Sequence, residues 1–238
     1  MIKPLISNQH GAIVMALLPF LYGVALSRPL WQHIFLLSAW FFLYLATYPL
    51  LKLCQRQYKP LYFRWSAIYL GVALLLVLPA LYYNPHIVFF AAAMLPLAAV
   101  NAYFSRRKEE RALCNDLAAI AIFSLAGAAA YYFADSSSDV RIWQVGFYPA
   151  LFFIGTTLYV KSVLRERKNP RYLKASLIFH LLCVLLFIFM QQYLLAAAFF
   201  PALVRALWLP GKKLSVRQIG LIEMGNSLVF FILLLYAA

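Results

Sequence analysis

The stretch Tyr159–Lys174, YVKSVLRERKNPRYLK, is a strongly basic segment between two long apolar runs. A related segment, YPLLKLCQR, begins at Tyr48, and the two copies match at a constant offset (159 − 48 = 111): Tyr48 with Tyr159, Leu53 with Leu164, Arg56 with Arg167. Three further pairs match at an offset that is smaller by one (174 − 64 = 110): Arg64 with Lys174, Ser66 with Ser176, Ile68 with Ile178. We therefore expect a basic hairpin between two apolar helices to occur twice in the chain.

The composition excludes a water-soluble domain. Hydrophobic residues make up 65% of the 238 residues and charged residues 12%, whereas soluble domains average about 45–50% apolar and about 25% charged residues. The lipid bilayer is therefore the expected solvent for most side chains. The net charge of +14 does not indicate nucleic-acid binding, because the basic residues form short clusters between apolar runs, as the positive-inside rule produces.

Nine apolar runs are predicted to be membrane-spanning helices, because about 20 apolar residues cross the hydrocarbon and irregular backbone is not tolerated against lipid. The runs are approximately 12–27, 31–51, 65–83, 86–104, 116–134, 142–160, 172–190, 193–209 and 216–237. The predicted fold class is therefore an all-α polytopic membrane bundle. An eight-helix alternative fuses the seventh and eighth runs across Gln191–Gln192, which form a weak turn signal.

The basic residues indicate the orientation of the helices. With the N-terminus in the cytoplasm, every Lys and Arg except Arg28 and Arg141 belongs to a cytoplasmic segment or helix end, as the positive-inside rule requires. The eight-helix alternative would place the last basic loop on the wrong side. We therefore predict nine helices, a cytoplasmic N-terminus and a periplasmic or extracellular C-terminus.

Further matches extend the repeat beyond the hairpin. AAAMLP at 91–96 matches AAAFFP at 196–201 at an offset of 105, and Asn115 and Leu117 match Asn226 and Leu228 at an offset of 111. The change of offset from 105 to 111 predicts about six extra residues in the loop around Gly211.

These matches predict one membrane domain, 1–238, that contains a first helix (1–30) and two four-helix repeats (31–135 and 136–238). An even number of helices per repeat gives both copies the same orientation. Because the interface of such repeats tends to enclose the substrate site, we expect a pocket there.

Three segments carry a resemblance to a known family: NQHGA followed by LLPFLYG near the N-terminus, NAYFSRRKEERALCNDLAAI at 101–120, and YVKSVLRER at 159–167. Together they resemble the YwiC-like family of bacterial membrane proteins over nearly the whole chain. The resemblance implies a bacterial inner-membrane location, and it implies no particular activity.

The architecture also resembles UbiA-type intramembrane prenyltransferases, which have nine helices and polar cytoplasmic loops between helices two and three and between helices six and seven. In those enzymes, Asp-rich motifs in the two loops hold Mg²⁺ and a prenyl diphosphate. Here the same loops are basic and Glu166 is their only acid, so the paired carboxylates that would hold Mg²⁺ are missing. If the fold is shared, Arg and Lys would hold an anion directly, because a guanidinium offers a bidentate fork to phosphate or carboxylate.

Basic and phenolic residues near the repeated hairpin are the candidate anion-binding groups. Tyr48, Lys52 and Arg56 have the spacing i, i+4 and i+8, which predicts one helical face with a phenol and two cations. The alternative is that these cations are topology signals that extend to anionic headgroups. The complete set is Tyr48, Lys52, Arg56, Arg64, Tyr159, Lys161, Arg167, Lys174 and Arg205.

Polar residues within the apolar runs form a second group of candidates. Glu223 lies about seven residues inside the last run, near 10 Å at about 1.5 Å per residue, and an ionisable group at that depth indicates a functional site. Arg205 is its expected partner, and the alternative role is a structural ion pair. Asn226 shares the face of Glu223 at i+3.

The remaining polar candidates have simpler expected roles. Asn115 and Asp116 are expected to cap the fifth helix, and His180 is expected to be a satisfied polar group of the core. His10 is expected to form hydrogen bonds at the interface or to carry protons. The complete intramembrane set is His10, Asn101, Asn115, Asp116, Glu223 and Asn226.

Three functions are compatible with these residues. The preferred one is binding of an anionic amphiphile or small anion in a basic, cytoplasmic-side pocket between the two repeats. The alternatives are a proton-coupled small-anion transporter that uses Glu223 and a degenerate prenyl- or group-transfer enzyme. We find no catalytic motif, and the three cysteines lack metal-ligand spacing, so we expect no metal and no cofactor. The expected partners are the bilayer and an anionic lipid or small anion.

Overall fold

The computed structural model describes residues 4–6 and 10–238, with only the backbone of His10. Nine α-helices and no β-strand occur in this part of the chain. The helices are α1 (His10–Leu26), α2 (His33–Cys54), α3 (Pro60–Tyr83), α4 (Val88–Arg106), α5 (Leu113–Asp135), α6 (Val140–Val160), α7 (Pro170–Phe189), α8 (Tyr193–Trp208) and α9 (Val216–Tyr236). All nine predicted runs are therefore helical, and the all-α fold class is confirmed.

Seven of these helices are long and apolar enough to cross a membrane. The other two, α1 and α8, are apolar but contain only 17 and 16 residues. Large apolar side chains stand outward on the spanning helices, such as Leu75, which is 69% exposed, and Phe189, which is 87% exposed. Such surfaces are stable where lipid replaces water, so the chain is a polytopic membrane protein.

The break between α7 and α8 excludes the eight-helix alternative. Phe189 ends α7, Tyr193 begins α8, and Gln191 between them has a φ of +59°. This left-handed conformation interrupts a right-handed helix. The seventh and eighth runs are therefore separate helices.

The helix bounds around the two basic hairpins follow the same offsets as the sequence matches. A π-helical turn, Lys161–Arg165, extends α6. The last residue of this turn, Arg165, and the last residue of α2, Cys54, are 111 positions apart, which is the offset between Tyr48 and Tyr159. Pro170, which begins α7, matches Pro60, which begins α3, at the smaller offset (170 − 60 = 110). Proline suits the first position of a helix because its missing N–H has no partner there in any case.

The fifth and ninth helices do not support the repeat. Asn115 is the third residue of α5, whereas Asn226 is the eleventh residue of α9, so the two differ by about two helical turns. The α8–α9 loop at 209–215 is only one residue longer than the α4–α5 loop at 107–112. The match between Asn115 and Asn226, and the expected insertion near Gly211, are therefore wrong.

The helices form two compact units, Met1–Phe147 and Tyr148–Ala238, with the boundary inside α6. In the first unit, α1 and α5 approach closely at Gly23 and Gly127. A Cβ atom on Gly127 would lie 2.6 Å from the carbonyl oxygen of Pro19, so a larger residue would push the helices apart. The second unit contains the end of α6 together with α7, α8 and α9.

Candidate functional site

A charged pair lies inside the second unit. Arg205 on α8 is 5% exposed and Glu223 on α9 is 8% exposed. One guanidinium nitrogen of Arg205, Nη1, donates to Oε2 of Glu223 and forms an ion pair. The pair predicted from the sequence is therefore present, at a depth where each charge would be costly without the other.

A histidine completes this pair. Nη2 of Arg205 donates to Nε2 of His180 at 3.1 Å, and Nδ1 of His180 lies 2.7 Å from the carbonyl oxygen of Ser176. Because a guanidinium only donates hydrogen bonds, Nε2 must accept and Nδ1 must carry the proton. His180 is therefore held neutral in one tautomer, which gives the group of Arg205, Glu223 and His180 no net charge.

An aromatic ring covers the guanidinium. The guanidinium carbon of Arg205 lies 4.2 Å from the ring centroid of Tyr159, which is within the range of a cation–π interaction. Tyr159 is 1% exposed and stands immediately before Val160 and the π-helical turn. Turns of this kind are frequent at functional sites. We call Tyr159, His180, Arg205 and Glu223 the polar cluster.

Helix ends set the depth of the polar cluster. Ser215 and Gln218 form a reciprocal cap that starts α9 at Val216, which places Glu223 about 10 Å along the helix at about 1.5 Å per residue. Pro170 starts α7, which places His180 about 15 Å along it. The cluster therefore lies within the unit and nearest the end where α6 and α8 finish and α7 and α9 begin, which the sequence predicts to be cytoplasmic.

A layer of phenylalanines lies about two turns further into the unit. Phe152, Phe187 and Phe230 are each seven residues from a member of the polar cluster on the same helix, and Phe199 is six residues from Arg205. The rings of Phe152 and Phe230 stack with centroids 4.0 Å apart, and the centroids of Phe199 and Phe187 are 5.1 Å apart. All four side chains are at most 2% exposed, so the phenylalanine layer separates the polar cluster from the other end of the unit.

Several buried polar atoms in this region make no hydrogen bond to any residue that the structure describes. Three are donors: Nε of Arg205, the hydroxyl of Tyr159, and Nδ2 of Asn226, one turn from Glu223 on α9. One is an acceptor, Oε1 of Glu223. Buried polar atoms almost always have a partner, so the region has the capacity to bind a further polar group.

The structure does not place the candidate cations of the first hairpin on one helical face. Lys52 lies with its ammonium 5.7 Å from the ring centroid of Tyr48, but α2 ends at Cys54, and Arg56 has a φ of +60°. The predicted face of Tyr48, Lys52 and Arg56 is therefore wrong, because the left-handed residue turns the chain away from the helix axis. Arg56 and Arg64 are exposed.

The candidates of the second hairpin divide into buried and exposed groups. Tyr159 belongs to the polar cluster, and Lys161 is buried at 3% exposure at the start of the π-helical turn. Arg167 and Lys174 are exposed, and Nε of Arg167 donates to the carbonyl oxygen of Val163. Of the nine candidate anion-binding residues, the structure therefore brings together two pairs, Tyr48 with Lys52 and Tyr159 with Arg205.

The polar candidates of the first unit form a separate contact. The amide of Asn101 donates to the side-chain oxygen of Asn115 at 2.8 Å, and the amide of Asn115 donates to the carbonyl oxygen of Glu110 at 2.8 Å. The predicted capping role is wrong for Asn115, because α5 begins at Leu113, after Ala112, which makes no side-chain cap. Asp116 is half-buried in the first turn of α5. The side chain of His10 lies outside the described part of the chain.

Comparison with known proteins identifies relatives over almost the whole chain. A protein of Haemophilus influenzae named "Uncharacterized protein" is 60% identical over 235 residues, which cover 99% of both chains. "Uncharacterized protein YwiC" of Bacillus subtilis is 38% identical over 229 residues, which cover 96% of this chain and 95% of the relative. No solved structure matches the chain. The family profile described as "YwiC-like protein" matches residues 6–131, and the chain therefore belongs to the YwiC-like family of bacterial membrane proteins.

Proposed function

We propose that this protein binds an oxyanion inside the membrane and that Arg205 holds it. The observation that carries the proposal is the guanidinium of Arg205, which is buried in the second unit between Glu223, His180 and Tyr159. An ionisable residue at such a depth is costly and is a functional candidate by default. A guanidinium is also the side chain best suited to phosphate or carboxylate.

The unused hydrogen-bonding groups support an anionic ligand. The unused donors belong to Arg205, Tyr159 and Asn226, and they suit the oxygens of a carboxylate or phosphate. The unused acceptor belongs to Glu223, and a proton on that atom would convert the carboxylate into a donor. The ligand is either a small free anion or the headgroup of an anionic amphiphile, because both present the same oxygens.

The affinity for the anion should depend on the protonation of Glu223. A carboxylate on Arg205 competes with an anionic ligand for the same guanidinium, and protonation of Glu223 removes that competitor. Arg205 on α8 forms the ion pair with Glu223, and the other titratable groups around that pair, His180 on α7 and Tyr159 on α6, contact the guanidinium of Arg205. Affinity for the anion is therefore expected to rise as the pH falls.

Two measurements on purified protein test the proposal. Isothermal titration with sulfate, whose charge is constant in the accessible pH range, detects a free anion, and native mass spectrometry detects a co-purified anionic lipid. Arg205→Gln should weaken binding at least about tenfold, because a charge-assisted hydrogen bond is worth about 1.5–3 kcal/mol. The matched control Arg167→Ala removes an exposed guanidinium and should leave binding unchanged. Equal affinity in Arg205→Gln and the native protein overturns the proposal, as does a loss confined to Arg167→Ala.

Proton-coupled anion transport is the second candidate function, because Glu223 offers a buried carboxylate whose Oε1 makes no hydrogen bond to a described residue. Transport would require the phenylalanine layer to open, since it separates the polar cluster from the other end of the unit. Uptake of labelled sulfate into proteoliposomes under an inward proton gradient distinguishes transport from binding. Uptake that Glu223→Gln abolishes supports the carrier, and gradient-independent uptake in both proteins contradicts it.

A further inference from the structure

The two arginines that depart from the charge asymmetry of the chain come together in the first unit. Arg28 follows the end of α1 and Arg141 lies in the first turn of α6. Both residues line one partly enclosed cavity of about 440 Å³, together with Tyr131, Asp135 and Ser137. This volume is within the range of about 300–1,000 Å³ that is usual for ligand pockets.

The position of these arginines is unusual for a membrane protein. The positive-inside rule depletes Lys and Arg from the loops on the outer side, and the sequence predicts that α1 ends and α6 begins on that side. Arg28 and Arg141 are the two basic residues in the whole chain that do not follow this predicted pattern. The positive-inside rule therefore does not account for the two arginines that line the cavity.

The acidic residues around the cavity leave the guanidinium groups of Arg28 and Arg141 available to bind an anion. Within the described ranges, neither Arg28 nor Arg141 forms an ion pair with a carboxylate within 4.0 Å. The nearby carboxylate of Asp139 accepts from the hydroxyl of Tyr131 and from the backbone N–H of Arg141, each at 2.9 Å. Two arginines and one carboxylate, Asp135, line the cavity, so the lining has a net positive charge.

We propose that this cavity binds a small oxyanion, a carboxylate or a phosphate, between Arg28 and Arg141 on the predicted outer side of the membrane. The site is independent of Arg205, because its residues belong to the first unit. Both arginines are exposed, so their removal costs little packing and the fold survives the test.

Cysteine reactivity measures the electrostatic potential of the cavity directly. Ser137 lines the cavity, whereas the adjacent exposed Ser138 does not, which provides a matched pair of positions. Each is replaced by cysteine in a chain whose three native cysteines are replaced. The reaction rates with an anionic and a cationic methanethiosulfonate reagent are then compared in purified protein.

The ratio of the anionic to the cationic rate should be about tenfold higher for Ser137→Cys than for Ser138→Cys, since a positively charged cleft raises the encounter rate of anions by about 10–10³. Sulfate should slow the reaction at position 137 and not at position 138. When Arg28→Ala and Arg141→Ala are added together, the ratio of anionic to cationic rate at position 137 should fall to the ratio at position 138. When Arg205→Gln is added instead, the ratio at position 137 should not change. Equal ratios at the two positions, or a ratio that survives the loss of both arginines, overturn the proposal without affecting the role of Arg205.

Discussion

The polar cluster predicts strong energetic coupling between Arg205 and Glu223, which a double-mutant cycle measures. Glu223→Leu leaves the buried guanidinium without its counter-ion, and Arg205→Met leaves the buried carboxylate alone. Removal of one partner of a buried ion pair costs about 3–5 kcal/mol, whereas replacement of both partners by apolar residues of similar size is often neutral. We therefore expect each single variant to lose about 3–5 kcal/mol and the double variant to lose less than either.

The two single variants should differ in their response to pH. Arg205 retains a hydrogen bond to His180 and the ring of Tyr159 when Glu223 is removed. Glu223 has Arg205 as its ion-pair partner. In Arg205→Met the carboxylate of Glu223 is therefore buried without a counter-ion, and it becomes neutral only by taking up a proton. Because the proton removes the buried charge, the stability of Arg205→Met should recover as the pH falls, and that of Glu223→Leu should not.

Unfolding in mixed detergent micelles, followed by tryptophan fluorescence, gives the four free energies of unfolding. The control cycle uses the exposed ion pair of Arg107 and Glu109, whose side chains are 56% and 51% exposed with 3.6 Å between nitrogen and oxygen. That pair should show no measurable coupling, because water screens exposed charges. Additive losses at Arg205 and Glu223 would show that neither charge depends on the other, contrary to the predicted coupling.

The helix contacts and the charge pattern give three further predictions. Gly155→Ala places a Cβ 2.9 Å from Nε2 of His180, so it should displace the imidazole and weaken sulfate binding, whereas Gly146→Ala, with open space around it, should not. Gly127→Ala should lower the melting temperature by forcing α1 from α5, whereas Gly71→Ala, also in open space, should raise it slightly because alanine favours helix. A C-terminal alkaline phosphatase fusion should be active and a green fluorescent protein fusion dark, and the reverse would contradict the predicted outward C-terminus.

The helices could be predicted closely because the bilayer imposes their length. Each predicted run agrees with an observed helix within a few residues, except that α3 begins at Pro60 and not near position 65. The missing turn, residues 60–64, ends in Arg64, and this charge interrupts the apolar run on which the prediction is based. The pairing of Glu223 with Arg205 could also be predicted, since a charge at that depth requires a counter-ion.

The contacts of Tyr159 and His180 with Arg205 could not be predicted from the sequence. The sequence predicts that His180 is a satisfied core residue, and it does bond to Ser176, but the rotation of α7 also turns its second nitrogen toward Arg205. The predicted helical face of Tyr48, Lys52 and Arg56 is wrong because the sequence does not show that α2 ends at Cys54. The seven-residue spacing from the polar cluster to Phe152, Phe187 and Phe230 is present in the sequence. This spacing indicates a layer of phenylalanines only when the packing of the four helices is known.

We propose that Arg205 exchanges Glu223 for an anion when Glu223 takes up a proton. The most direct test is the affinity for sulfate between pH 5 and pH 8 in the native protein, Glu223→Gln and His180→Gln. We predict that affinity rises as the pH falls in the native protein and in His180→Gln, whereas Glu223→Gln binds sulfate tightly at every pH. A pH dependence that persists in Glu223→Gln, or that disappears only in His180→Gln, would show that Glu223 is not the group whose protonation frees Arg205.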